Sequence, residues 1–339
     1  NDVMNLLTSE ACVILPEVES IRSPNRHFRQ RCRLGVLITS TPSSSSSIDE
    51  VDMMYLMWNE EGIPSRIVHQ FPLASSMIND LLLPLKTQLL LKPLLYKHLS
   101  AIHFLITLSG EALITLVYEG SKTTEFQDHN ISQEWCNLCE NVIESLLQIE
   151  ISRDEGYEHE HEPTKIRALS IIGSTKGIRL VVPENATSVQ EELHVKLPTI
   201  NNVNSGIGTS TEDVILYYRF PFDGFSNPNA HVNSRCLEWL SQVAAYNSNG
   251  EDLLELYCGA GNHTCALSKY FPKVLCVELN KSLCICAEKN LILNNITNVK
   301  VLPMHSEKIA RQLKKNKRFI WKEKKIGKSN GKGESEPES

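Results

Sequence analysis

Two groups of side chains in this 339-residue sequence have the types and spacing to do chemistry. The first is Cys258-Gly259-Ala260-Gly261-Asn262, with Glu278 seventeen residues beyond Gly261. Glycines spaced G-x-G between an apolar strand and a helix let backbone approach a ligand closely. A carboxylate ending the next strand can accept hydrogen bonds from both ribose hydroxyls of an adenosine cofactor. The third glycine of the dinucleotide fingerprint is absent, since Thr264 stands in its place. A nucleoside without phosphates therefore suits the pattern better than NAD, and S-adenosylmethionine meets that description. The bland alternative is a plain strand-to-helix turn followed by a surface glutamate.

The second group is Arg22, Arg26, Arg29, Arg31 and Arg33, five arginines within twelve residues that contain no acid. Arg29, Arg31 and Arg33 recur at period two, so an extended strand places them on one face. Phe28, Cys32 and Leu34 fall on the other, where Gln30 breaks the apolar parity. Such a face suits phosphate contacts from a rigid sheet. A solvated face paired with some of the many acids is the competing reading. A lone C-x-x-C, Cys136 to Cys139, lies in a helix-like run. Zinc would need two more ligands, and His159 and His161 sit in an acidic loop, so no metal is expected.

The elements that must position these groups fall into two styles. Up to about residue 211 strand-like segments dominate: Phe104–Leu108 with Ala112–Tyr118 and Ile166–Ile172 with Ile178–Val182 read as hairpins, and Arg29 to Arg33 as a strand. Amphipathic helices are expected near Ala74–Leu91 and Gln133–Leu147. This is an α+β pattern with a mainly antiparallel sheet. Loops are expected at Thr41–Ile48, Arg153–Pro163 and Asn201–Thr211. After 211 the pattern becomes a strand at Asp213–Phe220 and a helix through Val232 and Leu240. Strand, glycine turn, helix, strand, helix and strand then follow from Asp252 to Pro303, a βαβαβ half-sheet and so an α/β unit. The expected division is 1–211, 212–307 and a basic, flexible tail at 308–339.

The totals bound the reading. There are 34 Lys+Arg against 40 Asp+Glu, a net charge of −6. Residues 308–332 alone carry eleven Lys/Arg and one acid, which leaves −16 on the rest. The tail's charge begins where the half-sheet stops, and the five arginines near the N-terminus lie inside the otherwise acidic remainder. Ten cysteines are too sparse for a disulfide scaffold and suggest a reducing, intracellular setting, with compartment unresolved. The leucine-rich run Leu81–Leu95 is interrupted by Pro84, Lys86, Gln88, Lys92 and Pro93, so it does not read as a membrane span. No secretory signal is visible at Asn1 to Met4.

The run Asp252-Leu-Leu-Glu-Leu-Tyr-Cys-Gly-Ala-Gly-Asn262 resembles the first motif of the RNA uracil-5-methyltransferases, specifically the bacterial-type tRNA (uracil-5-)-methyltransferases. The likeness continues through Val277-Glu278-Leu279 and Asn294 to Val299. Upstream it takes in Arg22-Ser23-Pro24, His27-Phe28-Arg29, Ser65-Arg66-Ile67, Phe71-Pro72, Thr107-Leu108-Ser109 and Pro228-Asn229-Ala230. It spans roughly residues 15–310. The resemblance implies an N-terminal RNA-binding domain and a Rossmann-like methyltransferase domain that binds S-adenosylmethionine through Tyr257, Asn262 and Glu278, with Gly259 and Gly261 shaping the turn. Asn227 stands where the family usually has a cofactor-touching Gln; it is one methylene shorter. The implied RNA residues are Arg22, Arg29, Arg31 and Arg33. The implied partner is tRNA, with the T-loop uridine as target; a monomer without metal or membrane attachment is expected.

In this family a cysteine thiolate adds to uracil C6 so that C5 can take the methyl group, and a carboxylate base then removes the C5 proton. The segments that carry these groups, Asp-Pro-Pro-Arg-like and Ser-Cys-Asn-Pro-like, do not occur in this sequence. No catalytic residue is therefore assigned. The methyltransferase unit is expected to be incomplete, from a truncated or alternatively ended form with little or no catalysis of its own. The alternatives are a non-catalytic RNA-binding protein and a methyltransferase for another substrate.

Overall fold

The computed structural model describes residues 20–41, 50–120, 124–152, 165–199 and 210–314. The basic stretch beyond 314 and most of the three expected loops lie outside these residues.

Alternating and continuous apolar runs build a seven-stranded sheet from β1 (Arg31–Thr41), β2 (Glu50–Trp58), β3 (Pro64–Val68), β4 (Leu99–Ile106), β5 (Glu111–Tyr118), β6 (Ala168–Thr175) and β7 (Ile178–Val182). Its order is β3-β2-β1-β4-β5-β6-β7, antiparallel except for the β5–β6 pair. The parallel step needs a crossover, which α3 (His129–Leu146) supplies. With α1 (Ser76–Leu90) it covers one sheet face; a short α2 (Pro93–Tyr96) follows α1. Leu34, Ile78, Leu85, Phe104, Ile114 and Trp135 are fully enclosed between these layers, each contributing about 1.5–3 kcal/mol. The indole Nε1 of Trp135 donates to the Tyr118 hydroxyl at 2.9 Å, and that hydroxyl donates to the Leu95 carbonyl at 2.9 Å.

On the opposite face a long hairpin, β8 (Ser188–Pro198) with β9 (Thr211–Pro221), packs over Leu105, Leu113 and Ile172. A division at 211/212 falls just after the first residue of β9, and Leu193 and Val195 of β8 share a core with Leu237, Cys265, Ala266 and Leu291 beyond it. The second unit is α4 (Ala230–Asn247), β10 (Leu253–Leu256), α5 (Asn262–Leu267), β11 (Val274–Glu278), α6 (Lys281–Leu293) and β12 (Val299–Pro303). Its parallel sheet runs β10-β11-β12, with β11 central. Among the described residues β10 pairs with β11 alone, and Leu254 and Leu256 are exposed. A last helix, α7 (Ser306–Lys314), carries the first part of the basic stretch, so the expected tail boundary at 307/308 falls inside a helix.

Asn290 of α6 and Asn294, which caps its C-terminal end, fasten the helix to the hairpin. Asn290 accepts from the Arg219 amide at 2.7 Å and donates to the Ala260 carbonyl at 2.9 Å. Asn294 accepts from the Tyr217 amide at 2.9 Å and donates back to its carbonyl at 2.7 Å. These amides satisfy polar backbone along β9 that would otherwise be buried unpaired.

Candidate cofactor and RNA site

The chain leaves β10 through a tight left-handed path. Tyr257 has φ 58°, Gly259 57° and Gly261 80°. This region costs little for glycine and more for a residue with a Cβ. A Cβ built on Gly259 would meet nothing within 4 Å, so space lies open above the turn. Glu278, the last residue of β11, is carried to the same place. Its Oε2 accepts from the Gly259 amide at 3.1 Å and its Oε1 from the Asn280 amide at 2.8 Å. Each oxygen keeps a further lone pair. Tyr257 is 76% exposed beside the turn.

Asn262 begins α5 and is held from two sides. Its carbonyl accepts from the Tyr218 hydroxyl at 2.8 Å. Its side chain exchanges two hydrogen bonds with Asn233 of α4, at 3.0 and 2.7 Å. Thr264, at the missing-glycine position, donates to the Glu255 carboxylate at 2.5 Å beneath the turn. Burial raises the Glu255 pKa, against the hydrogen bonds from Thr264 and Cys276. Asn227 accepts from the Asn229 amide at 3.0 Å and lines a narrow cavity with Gln30, Glu191, Ser226 and Asn233. The structure thus joins Gly259 to Glu278 directly, and places Asn227 beside the residue that pairs with Asn262.

The arginine segment is only partly a strand. Arg22 is exposed, Arg29 precedes β1, and its Nε donates to the Arg31 carbonyl at 2.9 Å. Arg31 points across to the link between β9 and α4, where its guanidinium donates to the Phe222 carbonyl at 2.8 Å and to the Gly224 carbonyl. Arg33 is exposed, with its guanidinium carbon 5.2 Å from the centre of the Trp58 ring. A Cβ on Gly35 would come within 2.7 Å of that ring, so glycine is what lets Trp58 lie there.

Gln30, which spoiled the apolar parity, is buried because it does polar work. It donates its backbone N–H to the Pro228 carbonyl at 2.8 Å, and its side chain accepts from the Ala230 amide at 2.8 Å.

Arg29, Arg31, Arg33, His103, Thr115 and Phe222 line a cleft of about 210 Å³. Burial, then the charges of Arg33 and Arg31, lowers the His103 pKa to about 4, so the imidazole is neutral at physiological pH. Its Nε2 is buried without a protein partner.

Glu191 is the other residue that sequence reasoning passed over. Only 2% exposed, it accepts from the amides of Leu108, Ser109 and Glu192 at 3.0, 3.1 and 3.2 Å. It thereby clasps the Thr107-Leu108-Ser109 turn to the hairpin. A glutamate on the inward parity of β8 was the available signal, but nothing local named its partners. Asn233 left a similar trace, an amide on the apolar face of α4 beside Leu237.

Among the described residues no cysteine stands out as a nucleophile. Burial pushes Cys32 up to about 12 and Cys286 to about 11, and raises Cys139 and Cys265 as well. Cys258 is raised by a hydrogen bond with the free thiol of Cys276 and by burial. A reactive thiol requires the opposite shift. Cys139 of the C-x-x-C is fully buried on α3, and among the described residues no three His, Cys, Asp or Glu side chains gather as a metal site. No helix among the described residues is long and apolar enough to cross a membrane.

The model of the family described as tRNA (Uracil-5-)-methyltransferase matches residues 5–160 and 165–328. The chain is similar to the tRNA/tmRNA (uracil-C(5))-methyltransferase of Photobacterium profundum, with 32% identity over 293 residues, 86% of this chain and 64% of that protein. Its counterpart in Yersinia enterocolitica is 29% identical over 304 residues, 90% of this chain and 68% of that protein. The chain therefore spans about two thirds of the length of these curated relatives. Among solved structures, Pyrococcus abyssi tRNA (uracil-54, C5)-methyltransferase in complex with S-adenosyl-L-homocysteine aligns with a TM-score of 0.45 at 12% identity, over 83% of this chain and 57% of that one.

Proposed function

Because this chain belongs to the tRNA (uracil-5-)-methyltransferase family, we propose that it binds S-adenosylmethionine at the turn after β10 and tRNA along the arginine segment, for methylation of uridine C5. The observation that carries the cofactor reading is the Gly259 amide bonded to Glu278 at the carboxyl ends of adjacent parallel strands. Ligands of open α/β sheets bind at such ends.

The open space above Gly259 and the free lone pairs of Glu278 fit a nucleoside. Glu278 would accept the ribose hydroxyls, with Tyr257, Gly261, Asn262 and Asn227 completing the wall. When bound, the cofactor supplies an electrophilic methyl group. Glu278 and the turn's backbone orient it.

On the RNA side, Arg22, Arg29 and Arg33 offer guanidinium groups to phosphates. Arg31 adds charge to the cleft while its donors fasten β1 to the 222–224 carbonyls. A T-loop uridine in tRNA is the target this reading favours, acted on by a monomer.

The resemblance places the nucleophile and base of C5 chemistry in Asp-Pro-Pro-Arg-like and Ser-Cys-Asn-Pro-like segments, which do not occur in these 339 residues. The chain as given is therefore expected to hold both ligands with little or no turnover. Calorimetric titration with S-adenosylmethionine tests the cofactor reading: binding is expected, with a loss of at least about tenfold in Glu278→Ala, one strong hydrogen bond's worth. Tight tRNA binding with no cofactor binding would instead favour an RNA-binding protein without chemistry. Methyl transfer from radiolabelled cofactor at the rate of a full-length relative would overturn the expectation of low turnover.

A further inference from the structure

The Asn233–Asn262 pair has a role that neither side chain has alone. Asn233 is 4% exposed, on the α4 face that also buries Leu237 and Ala244. An amide in that position costs desolvation that leucine would not, unless its hydrogen bonds are made. Both are made to one partner: Asn233 Nδ2 donates to Asn262 Oδ1 at 3.0 Å, and Asn262 Nδ2 donates to Asn233 Oδ1 at 2.7 Å.

Two parallel bonds between planar amides fix the plane of the Asn262 side chain, not merely its distance. Each amide then keeps one N–H and one lone pair. The exposed side of Asn262 thus presents a donor and an acceptor in a set orientation. The helix that imposes it is itself anchored at its first turn. Gln30 accepts from the Ala230 amide at 2.8 Å, and Asn229 donates to the Ser23 hydroxyl at 2.8 Å. Ser23 and Gln30 lie within the arginine segment, so one turn of α4 separates that segment's anchor from the glycine turn's.

We propose that Asn233 is a positioning residue for S-adenosylmethionine, acting through Asn262 to hold the turn after β10 in its ligand-ready form. The proposal rests on the cofactor reading above and adds a residue outside the glycine turn. Asn233 touches Asn262 and leaves the ligand contacts to it.

The test is a double-mutant cycle on the 339-residue chain, reading S-adenosylmethionine Kd by calorimetry. Asn233→Ala is expected to weaken binding about tenfold, the scale of one to two lost hydrogen bonds, and to change it little when Asn262 is already alanine. Asn233→Leu restores the buried volume without the amide, so it is expected to weaken binding as much as alanine does. It also keeps the comparison open should the alanine chain fold poorly. Recovery of wild-type affinity in Asn233→Leu, or equal losses in both Asn262 backgrounds, would mean that Asn233 only packs, and would overturn the proposal while leaving the cofactor reading intact. A wild-type chain that does not bind S-adenosylmethionine would overturn both.

Discussion

Replacing Glu191 with glutamine should produce a stability change that depends on pH. Glu191 sits 2% exposed between the hairpin and the 107–109 turn, with three backbone N–H groups on its two oxygens. Burial raises its pKa to about 7, outweighing the hydrogen bonds from Leu108, Ser109, Glu192 and the Ser109 side chain. The folded carboxyl thus holds its proton to higher pH than the unfolded one. Stability from this group is full below the ordinary carboxyl range, near pH 4.5, and is lost as pH rises through about 7. The whole change amounts to roughly 3 kcal/mol.

Glutamine cannot titrate, and its NH₂ must face one of the three amide donors, costing about 1–3 kcal/mol. The expected result in urea unfolding is a Glu191→Gln chain less stable than wild type at pH 5.5. The gap should close, or reverse, by pH 8.5, as the wild type acquires its buried charge. Arg167, Glu111 and Glu192 lie close by, so the comparison must be made between chains at each pH. A difference that is constant from pH 5.5 to 8.5 would refute a folded-state pKa near 7 for Glu191, and with it the balance in which burial exceeds hydrogen bonding.

Two further outcomes separate anchoring from RNA contact among the arginines. Arg31→Met should cost about 2–4 kcal/mol in chemical denaturation, since it strips the Phe222 and Gly224 carbonyls of a shared charged donor; Arg31→Lys should recover less than half, because one ammonium lacks the planar fork. An unchanged unfolding midpoint in Arg31→Met would contradict this anchoring role. Arg33→Ala should leave stability within about 0.5–1 kcal/mol, its contact with Trp58 being exposed. It should nevertheless lower the salt dependence of the proposed tRNA binding by about one phosphate's worth; a filter-binding slope equal to wild type would remove Arg33 from the proposed RNA surface.

Much of the architecture could be read from local pattern. The apolar runs around Ser109-Gly110 form β4 and β5, and the glycines at 173 and 177 lie in the β6–β7 hairpin. The βαβαβ alternation from 252 to 303 appears with ends shifted by a residue or two. Less legible was the hairpin of β8 with β9, because its connection passes through 200–209 and its strands pair across the expected boundary.

The sequence by itself determined which residues share a face and where the glycine turn falls. Both follow from backbone periods and from the φ angles glycine allows, and neither needs a distant partner. Only the tertiary structure decided what each face meets. Arg31 and Arg33 share a strand face, yet Arg31 bonds a carbonyl 191 residues away while Arg33 remains at the surface. Glu191 reaches back 83 residues to Leu108, and Asn233 reaches forward 29 to Asn262. Such pairings depend on how separate layers pack. A buried polar group takes whichever partner packing brings within about 3 Å, and strand or helix periodicity carries no record of that choice.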